Sequence, residues 1–170
     1  MLFRSQRGDE GDDYMEAWGG YNEQSGGDGD DTMRAYGGGN IMNGGAGNDN
    51  MVAGGLYNKL DAGSGNNTME AWGGWNEFRG GSGNDTVIAG GGVNKINIGG
   101  GTNTVRAYGG SNEINAVGAS GHVETQYTIT GYKGWLNFTL SARDVWVNDR
   151  NDIDAYGDRK STRLNSSHRT

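Results

Sequence analysis

The 170-residue sequence has no cysteine and no proline, and only 32% of it is hydrophobic. Without cysteine, a disulfide framework and a thiolate metal site are excluded, although the compartment is left open. So few apolar residues cannot fill a two-layer core. The chain is therefore either disordered or a repeat that stacks a narrow apolar stripe on itself. No stretch approaches the length of a transmembrane helix, and no signal-peptide pattern is present. Of the two histidines, one (His168) lies in a terminal segment discussed next; His122 stands alone. With no serine–histidine–acid set, no nucleophilic or metal-hydrolytic centre is expected.

Both ends read as non-native. Residues 158–168 back-translate without a mismatch to a sequence that resembles a common short-read sequencing adapter. Residues 1–5 resemble its reverse complement, with GTG as start codon. We therefore expect residues 1–5 and 158–170 to be artefacts and residues 6–157 to be an internal piece of a longer parent chain. Excluding the ends removes five of 14 basic residues (Arg4, Arg159, Lys160, Arg163, Arg169) and one of 21 acids (Asp158), leaving 9 − 20 = −11. An acidic chain without a basic patch speaks against nucleic acid or an anionic membrane as partner, and in favour of cations.

What is abundant is glycine, 35 residues, and it is periodic. Written in nines from Gly8, the chain keeps register through Asn115, giving twelve nonads. Two types alternate, so the true period is 18. The first type starts at Gly8, Gly26, Gly44, Ala62, Gly80 and Ile98; residues 26–34 (GGDGDDTMR), 44–52 (GGAGNDNMV) and 80–88 (GGSGNDTVI) are typical. The second starts at Ala17, Ala35, Ala53, Ala71, Ala89 and Ala107, as in residues 71–79 (AWGGWNEFR).

Position eight is apolar throughout: Met15, Met33, Met42, Met51, Leu60, Met69, Phe78, Val87, Ile96, Val105 and Ile114, with Gln24 the exception. One apolar residue in nine is too sparse for a helix face but suits a short strand with its centre pointing inward. Position one, two residues on, also points inward and is small except at Ile98. Strand, glycine turn, strand, glycine turn would close one 18-residue coil, and six coils at ~4.8 Å each would stack to ~29 Å. Outward positions repeat as well. Glu23, Ile41, Lys59, Glu77, Lys95 and Glu113 alternate in sign from Lys59 onward, Asp61 precedes Arg79 by one period, and Thr32, Thr68, Thr86 and Thr104 share position seven. Exposed pairs of this kind contribute only ~0–1 kcal/mol each and matter as a sign of register.

Position six separates the two types. In the first it is Asp13, Asp31, Asp49, Asn67, Asp85 and Asn103; in the second it is always asparagine, at 22, 40, 58, 76, 94 and 112. Carboxylates stacked at rung spacing repel unless a cation lies between them. Calcium takes about six to eight hard oxygens in irregular geometry, and glycine loops leave backbone carbonyls accessible. An EF-hand is excluded, because no Asp-x-Asp-x-Asp-Gly run with a glutamate at the twelfth position occurs.

The first-type nonads resemble those of the RTX family, Gly-Gly-x-Gly-x-Asp-x-apolar-x. Three of them match fully and the others drift by one to three positions. The resemblance implies an all-β fold, a right-handed parallel β-roll or β-solenoid of about six 18-residue coils, with calcium ions held between the loops of successive coils. It implies ligation by Asp13, Gly26, Gly27, Asp28, Gly29, Asp31, Gly44, Gly45, Ala46, Gly47, Asp49, Gly63, Gly65, Asn67, Gly81, Gly83 and Asp85. The strongest site would lie between 26–31 and 44–49 and the next between 8–13 and 26–31, while Asn67 and Asn103 would make weaker ones. The second side departs from the family in having no aspartate. We expect a calcium-free asparagine ladder there, with amides bonded from rung to rung.

The roll is expected to span residues 6–115. Residues 116–157 are expected to form a β-rich insertion or cap, with partial alternation over 122–148 (Tyr127, Ile129, Trp135, Leu136, Phe138, Leu140, Val145, Val147) and a resumed repeat near 151. Aromatics at second-type position two (Trp18, Tyr36, Trp72, Tyr108) and position five (Tyr21, Tyr57, Trp75) either shield glycine backbone or form a surface for carbohydrate or another cell-surface ligand. The leading functional expectation is a non-enzymatic, calcium-binding module of a secreted or surface-exposed bacterial protein, unfolded at cytosolic calcium and folded outside. Two alternatives compete with it. One is an ice-binding solenoid, which lacks support because position three (Glu10, Asp28, Ala46, Ser64, Ser82, Gly100) carries no threonine. The other is the repeat module of a secreted enzyme whose catalytic domain lies elsewhere.

Overall fold

The computed structural model describes residues 3–115, with their side chains, and beyond them the backbone of 119–125, 128–133, 136–141, 144–147, 152–156 and 162–165. Its first part consists of β1 (Phe3–Arg7), β2 (Tyr14–Trp18), β3 (Tyr21–Asp28), β4 (Thr32–Ala46), β5 (Asn50–Ser64), β6 (Thr68–Arg79), β7 (Thr86–Asn97) and β8 (Gly101–Asn115). Every pair among these is parallel, and each residue faces the one 18 positions on: Met33 faces Met51, Met51 faces Met69, and Met69 faces Val87. The described chain is all-strand, a β-solenoid of about six turns of about 18 residues, as the period requires.

The inward positions are the ones that the spacing assigns. Met33, Met42, Met51, Leu60, Met69, Phe78, Val87, Ile96 and Val105 are almost wholly buried, and so are the alanines at position one. Each coil thus contributes two large and two small inward side chains, and burying a large one stabilises by ~1.5–3 kcal/mol. Gln24, the polar exception, is also buried; its Nε2–H donates to Gln6 Oε1 (2.7 Å) and to the Arg34 carbonyl (3.2 Å).

The two corners of each coil differ. From β4 to β8 each strand continues around the second-type corner, where pairing skips one position per coil (Gly38, Leu56, Gly74), so Tyr36 pairs with Gly54 and Tyr57 with Trp75. In these coils the strands stop at the first-type corner, between Ala46 and Asn50 for example, and only the first coil also breaks at the second-type corner, between Trp18 and Tyr21. Past the first coil, the expected alternation of strand and turn is therefore realised at one corner rather than two.

The sequence pattern fades after Asn115, yet the backbone step outlasts it. β9 (Ala119–Thr125) still pairs with β8 at a spacing of 18, whereas β10 (Thr128–Lys133) pairs at 17. The stack then gives way to antiparallel pairing. β11 (Leu136–Ser141) pairs with β10, and β12 (Asp144–Val147) with β9. β13 (Asp152–Tyr156), where a return of the repeat is expected, runs antiparallel to β12 and to β14 (Thr162–Asn165). The side chains expected to plug this end, and that of His122, lie outside the described ones.

On the outer faces, Lys59, Glu77, Lys95 and Glu113 stand in consecutive register. Among the described residues no ion pair closes within that row. Instead Arg79 reaches Asp61 at 3.8 Å and Glu77 at 3.7 Å. The aromatic rings lie over glycines of the next coil: a Cβ on Gly90 would overlap the Trp72 ring, and one on Gly39 would meet the Tyr21 ring at 2.6 Å. Trp18 and Tyr36 also contact each other, as do Tyr57 and Trp75. This is the shielding arrangement.

Candidate metal centre at the acidic corner

Glycine at first-type positions two and four is required by backbone conformation. Gly45 (φ +116°) and Gly47 (φ +133°) occupy the region that side chains disfavour, and a Cβ on either would overlap a carbonyl oxygen of the preceding coil, that of Gly27 or Gly29. Position one is glycine for a different reason. A Cβ on Gly44 would overlap Asp49 Oδ2 and meet the Ala62 carbonyl oxygen at 2.6 Å; one on Gly26 would overlap Asp31 Oδ2 and meet the Gly44 carbonyl oxygen at 2.6 Å. The carboxylate oxygen and a carbonyl of the next coil share the space that a methyl group would take.

This pairing holds along the whole column. Aspartates 13, 31, 49 and 85 go with glycine at 8, 26, 44 and 80, whereas Asn67 goes with Ala62 and Asn103 with Ile98. In the asparagine rungs the second side-chain atom is a donor and turns to a loop carbonyl of its own corner: Asn67 Nδ2–H to Gly65 (3.2 Å), Asn103 Nδ2–H to Gly100 (2.9 Å). An aspartate has no such donor and leaves an oxygen free.

The other oxygen of each position-six residue is used structurally. The backbone N–H of Asp13 donates to Asp31 Oδ1 (2.8 Å), that of Asp31 to Asp49 Oδ1 (3.0 Å), that of Asp49 to Asn67 Oδ1 (2.8 Å) and that of Asn67 to Asp85 Oδ1 (3.0 Å). A second ladder runs the opposite way through position five. There the N–H of Asp30 donates to Asp12 Oδ1 (2.8 Å), that of Asn48 to Asp30 Oδ1 (2.6 Å), that of Asn66 to Asn48 Oδ1 (2.8 Å) and that of Asn84 to Asn66 Oδ1 (2.9 Å). Its signal in the sequence is that position five is Asp or Asn in every first-type nonad but the last, which has Thr102. These side chains intercept the amides that would otherwise pair strand to strand, which is why the strands break at this corner.

Asp31, Asp49 and Asp85 each keep a buried Oδ2 with no hydrogen-bond partner. Burial pushes the carboxyl of Asp49 up to about 6, with the charges of Asp31 and Asp30 adding to the effect. Burial likewise raises Asp31 and Asp85. A buried acceptor without a donor is costly, and here it repeats at the rungs where glycine makes room. A hard cation fits that pattern: anionic and carbonyl oxygens face one another in a cradle that no Cβ fills. Among the described residues no three acidic or imidazole side chains converge on one point, so the oxygen set is rich in carbonyls.

All the residues named as ligands from the sequence lie along this corner. Asp28 and Ala46 point their side chains to solvent and offer only carbonyls, which accept the N–H of Gly11 (2.7 Å) and Gly29 (2.8 Å). Asp13 is half-buried, and its Oδ2 accepts the Asp9 N–H at 3.3 Å.

At the opposite corner the asparagine ladder is complete from rung to rung. Asn22 Nδ2–H donates to Asn40 Oδ1 (2.9 Å), Asn40 to Asn58 (2.7 Å), Asn58 to Asn76 (2.8 Å), Asn76 to Asn94 (2.8 Å) and Asn94 to Asn112 (2.7 Å). The same amides donate to carbonyls of the next coil, as Asn76 does to Gly90 (2.9 Å). Among the described residues, donors and acceptors are matched along the ladder except at its two ends, where Asn22 Oδ1 and Asn112 Nδ2 lack partners, so no side-chain oxygen of the ladder but Asn22 Oδ1 is left over for a metal.

The family model of the RTX calcium-binding nonapeptide repeat matches residues 25–60, 57–87 and 73–105. No curated protein and no solved structure matches the chain.

Proposed function

We propose, on the match of residues 25–105 to the RTX calcium-binding nonapeptide repeat, that the acidic corner holds calcium ions and that the roll is a calcium-folded structural scaffold of a secreted or surface-exposed protein. The observation that carries this reading is the column of partnerless Oδ2 atoms on Asp31, Asp49 and Asp85. Asp31 and Asp49, with carbonyls of 26–29 and 44–47, would form the strongest site, and Asp85 with carbonyls around it another. The rungs of Asn67 and Asn103 would bind weakly, because the amide brings no charge and its donor closes its own loop.

A bound calcium ion would supply positive charge where buried carboxylates and carbonyls face each other. The chain's own residues do the rest. Glycine at position one makes the space, position six fixes one carboxylate oxygen on a backbone amide, and the core stripe holds successive corners at rung distance. Binding only the folded state, calcium would draw the chain into the roll by mass action. Low cytosolic and high external calcium would then couple folding to export.

Far-UV circular dichroism in calcium and in chelator tests this. The expected result is a strand-rich spectrum in millimolar calcium and a disordered one in chelator. An identical strand-rich spectrum in both would overturn the switch.

A further inference from the structure

Among the described residues from 6 onward, six of the seven large apolar side chains that stand exposed (Trp18, Ile41, Leu56, Trp72, Trp75 and Val93) lie on the second-type side of the coil, and only Tyr14 does not. This side is also free of charge at its corner. Positions two to six of all six second-type nonads, from residues 18–22 through 108–112, contain no Asp, Glu, Lys or Arg. The opposite corner carries the acids, so the molecule has one acidic edge and one neutral aromatic edge.

Shielding of glycine accounts for the inner side of the rings only. Trp72 covers Gly90 yet remains 46% exposed, Trp18 is 57% exposed and Trp75 41%. The indoles are held in fixed orientation. Trp18 Nε1–H donates to Glu16 Oε1 at 2.6 Å, and Trp72 Nε1–H to Glu70 Oε1. Trp72 and Tyr108, two coils apart, are parallel to within 3°. Leu56, 77% exposed at the same corner, shields no glycine ring position of this kind.

We propose that this edge is a binding platform for a neutral linear polysaccharide. Aromatic faces with one wet side bind the C–H faces of pyranose rings, and orienting them beforehand lowers the entropy lost on binding. Successive rungs lie ~4.8 Å apart, close to the length of one pyranose residue, and every second-type rung but the fifth (89–97) carries an aromatic at position two or five. The stripe continues along the stack without a distinct centre, as a ligand that itself repeats would require, between flanking rows of mixed charge (Glu16, Arg34 and Glu70 on one side; Glu23, Lys59, Glu77, Lys95 and Glu113 on the other). Absence of charge at the corner itself, in a chain of net charge −7, favours a neutral polymer over uronates and nucleic acid.

Cellohexaose is the probe, titrated into the full chain in saturating calcium and followed by calorimetry and tryptophan fluorescence. The far-UV spectrum of every sample shows whether the roll has formed, so failure of calcium-driven folding is distinguished from failure of sugar binding. The expected result is saturable binding with a fluorescence change, at least tenfold weaker in Trp72→Ala/Trp75→Ala and with no response to polygalacturonate. Leu56→Glu, which puts a charge on the stripe without uncovering a glycine, is expected to weaken binding similarly. Absence of binding by the folded chain overturns the proposal. So does concentration-dependent dimerisation in sedimentation that Leu56→Glu abolishes, because the stripe would then belong to a second copy of the chain.

Discussion

At Gly44 an added methyl group would compete with Asp49 Oδ2 and the Ala62 carbonyl for one small volume, and the chain itself shows the remedy in the Ala62–Asn67 rung. Gly44→Ala alone is therefore expected to destabilise the calcium-loaded roll by ~1–3 kcal/mol and to weaken calcium binding. Gly44→Ala/Asp49→Asn recreates a native rung and should recover most of the stability while binding less calcium. A double-mutant cycle of thermal melts, with metal stoichiometry measured alongside, checks this. Additive losses in the double variant would refute the coupling. The raised carboxyl of Asp49, about 6 against 3.8, gives the same corner a pH signature. A raised folded-state value means that the protonated form is favoured by folding. In chelator, Asp49 thus contributes stability below about pH 4 that is lost as pH rises to about 6, and Asp31 and Asp85 act in the same direction. The calcium-free chain should accordingly gain strand content on acidification between those values, and a calcium-free spectrum flat across that range would contradict this.

At the scale of strands and corners, most of the design is legible in the sequence. A period of 18 with one large apolar residue per nonad can only be buried by stacking, and Met33, Met51, Met69, Val87 and Val105 duly line up. The asparagine row was equally readable, because an amide repeated at rung spacing can donate and accept along the stack. What the period could not show is where the second oxygen of each aspartate lies. The dependence of Asp on glycine five residues earlier, and the opposed ladder at position five, arise from the local fold of the corner. Likewise Lys59, Glu77 and Lys95 were placed in register correctly, yet Arg79, longer and beside them, is the side chain that reaches its partners. The continuous asparagine corner carries its own prediction. Asn58→Ala leaves Asn40 Nδ2 without its acceptor and Asn76 Oδ1 without its donor, so a loss of ~1–3 kcal/mol is expected. Because this corner lacks spare oxygens, calcium stoichiometry should not change. A lower stoichiometry in Asn58→Ala would show that the two corners are not separate devices.

For the whole molecule the decisive property is that each coil touches only its neighbours, so stability passes along the stack from rung to rung. The inward stripe is one side chain deep on each strand and runs between the two corners. The asparagine edge therefore cannot stay folded while the acidic edge opens, since opening one side exposes the same methionines and alanines that the other relies on. Removal of calcium should release the roll as a unit rather than fray one edge. Position within the column then matters more than residue type. Asp49 has a buried carboxylate before it and Asn67 after it, whereas half-buried Asp13 stands at the first rung with Asp9 already donating to it. Asp49→Asn should raise the calcium concentration at half-folding and flatten the transition, because it divides the column into shorter ligating runs. Asp13→Asn should leave the slope nearly intact and shift the midpoint little. Calcium titrations of the two variants, followed by circular dichroism at the same protein concentration, separate these cases. Equal shifts in both would mean that the sites fill independently and that the stack does not couple them.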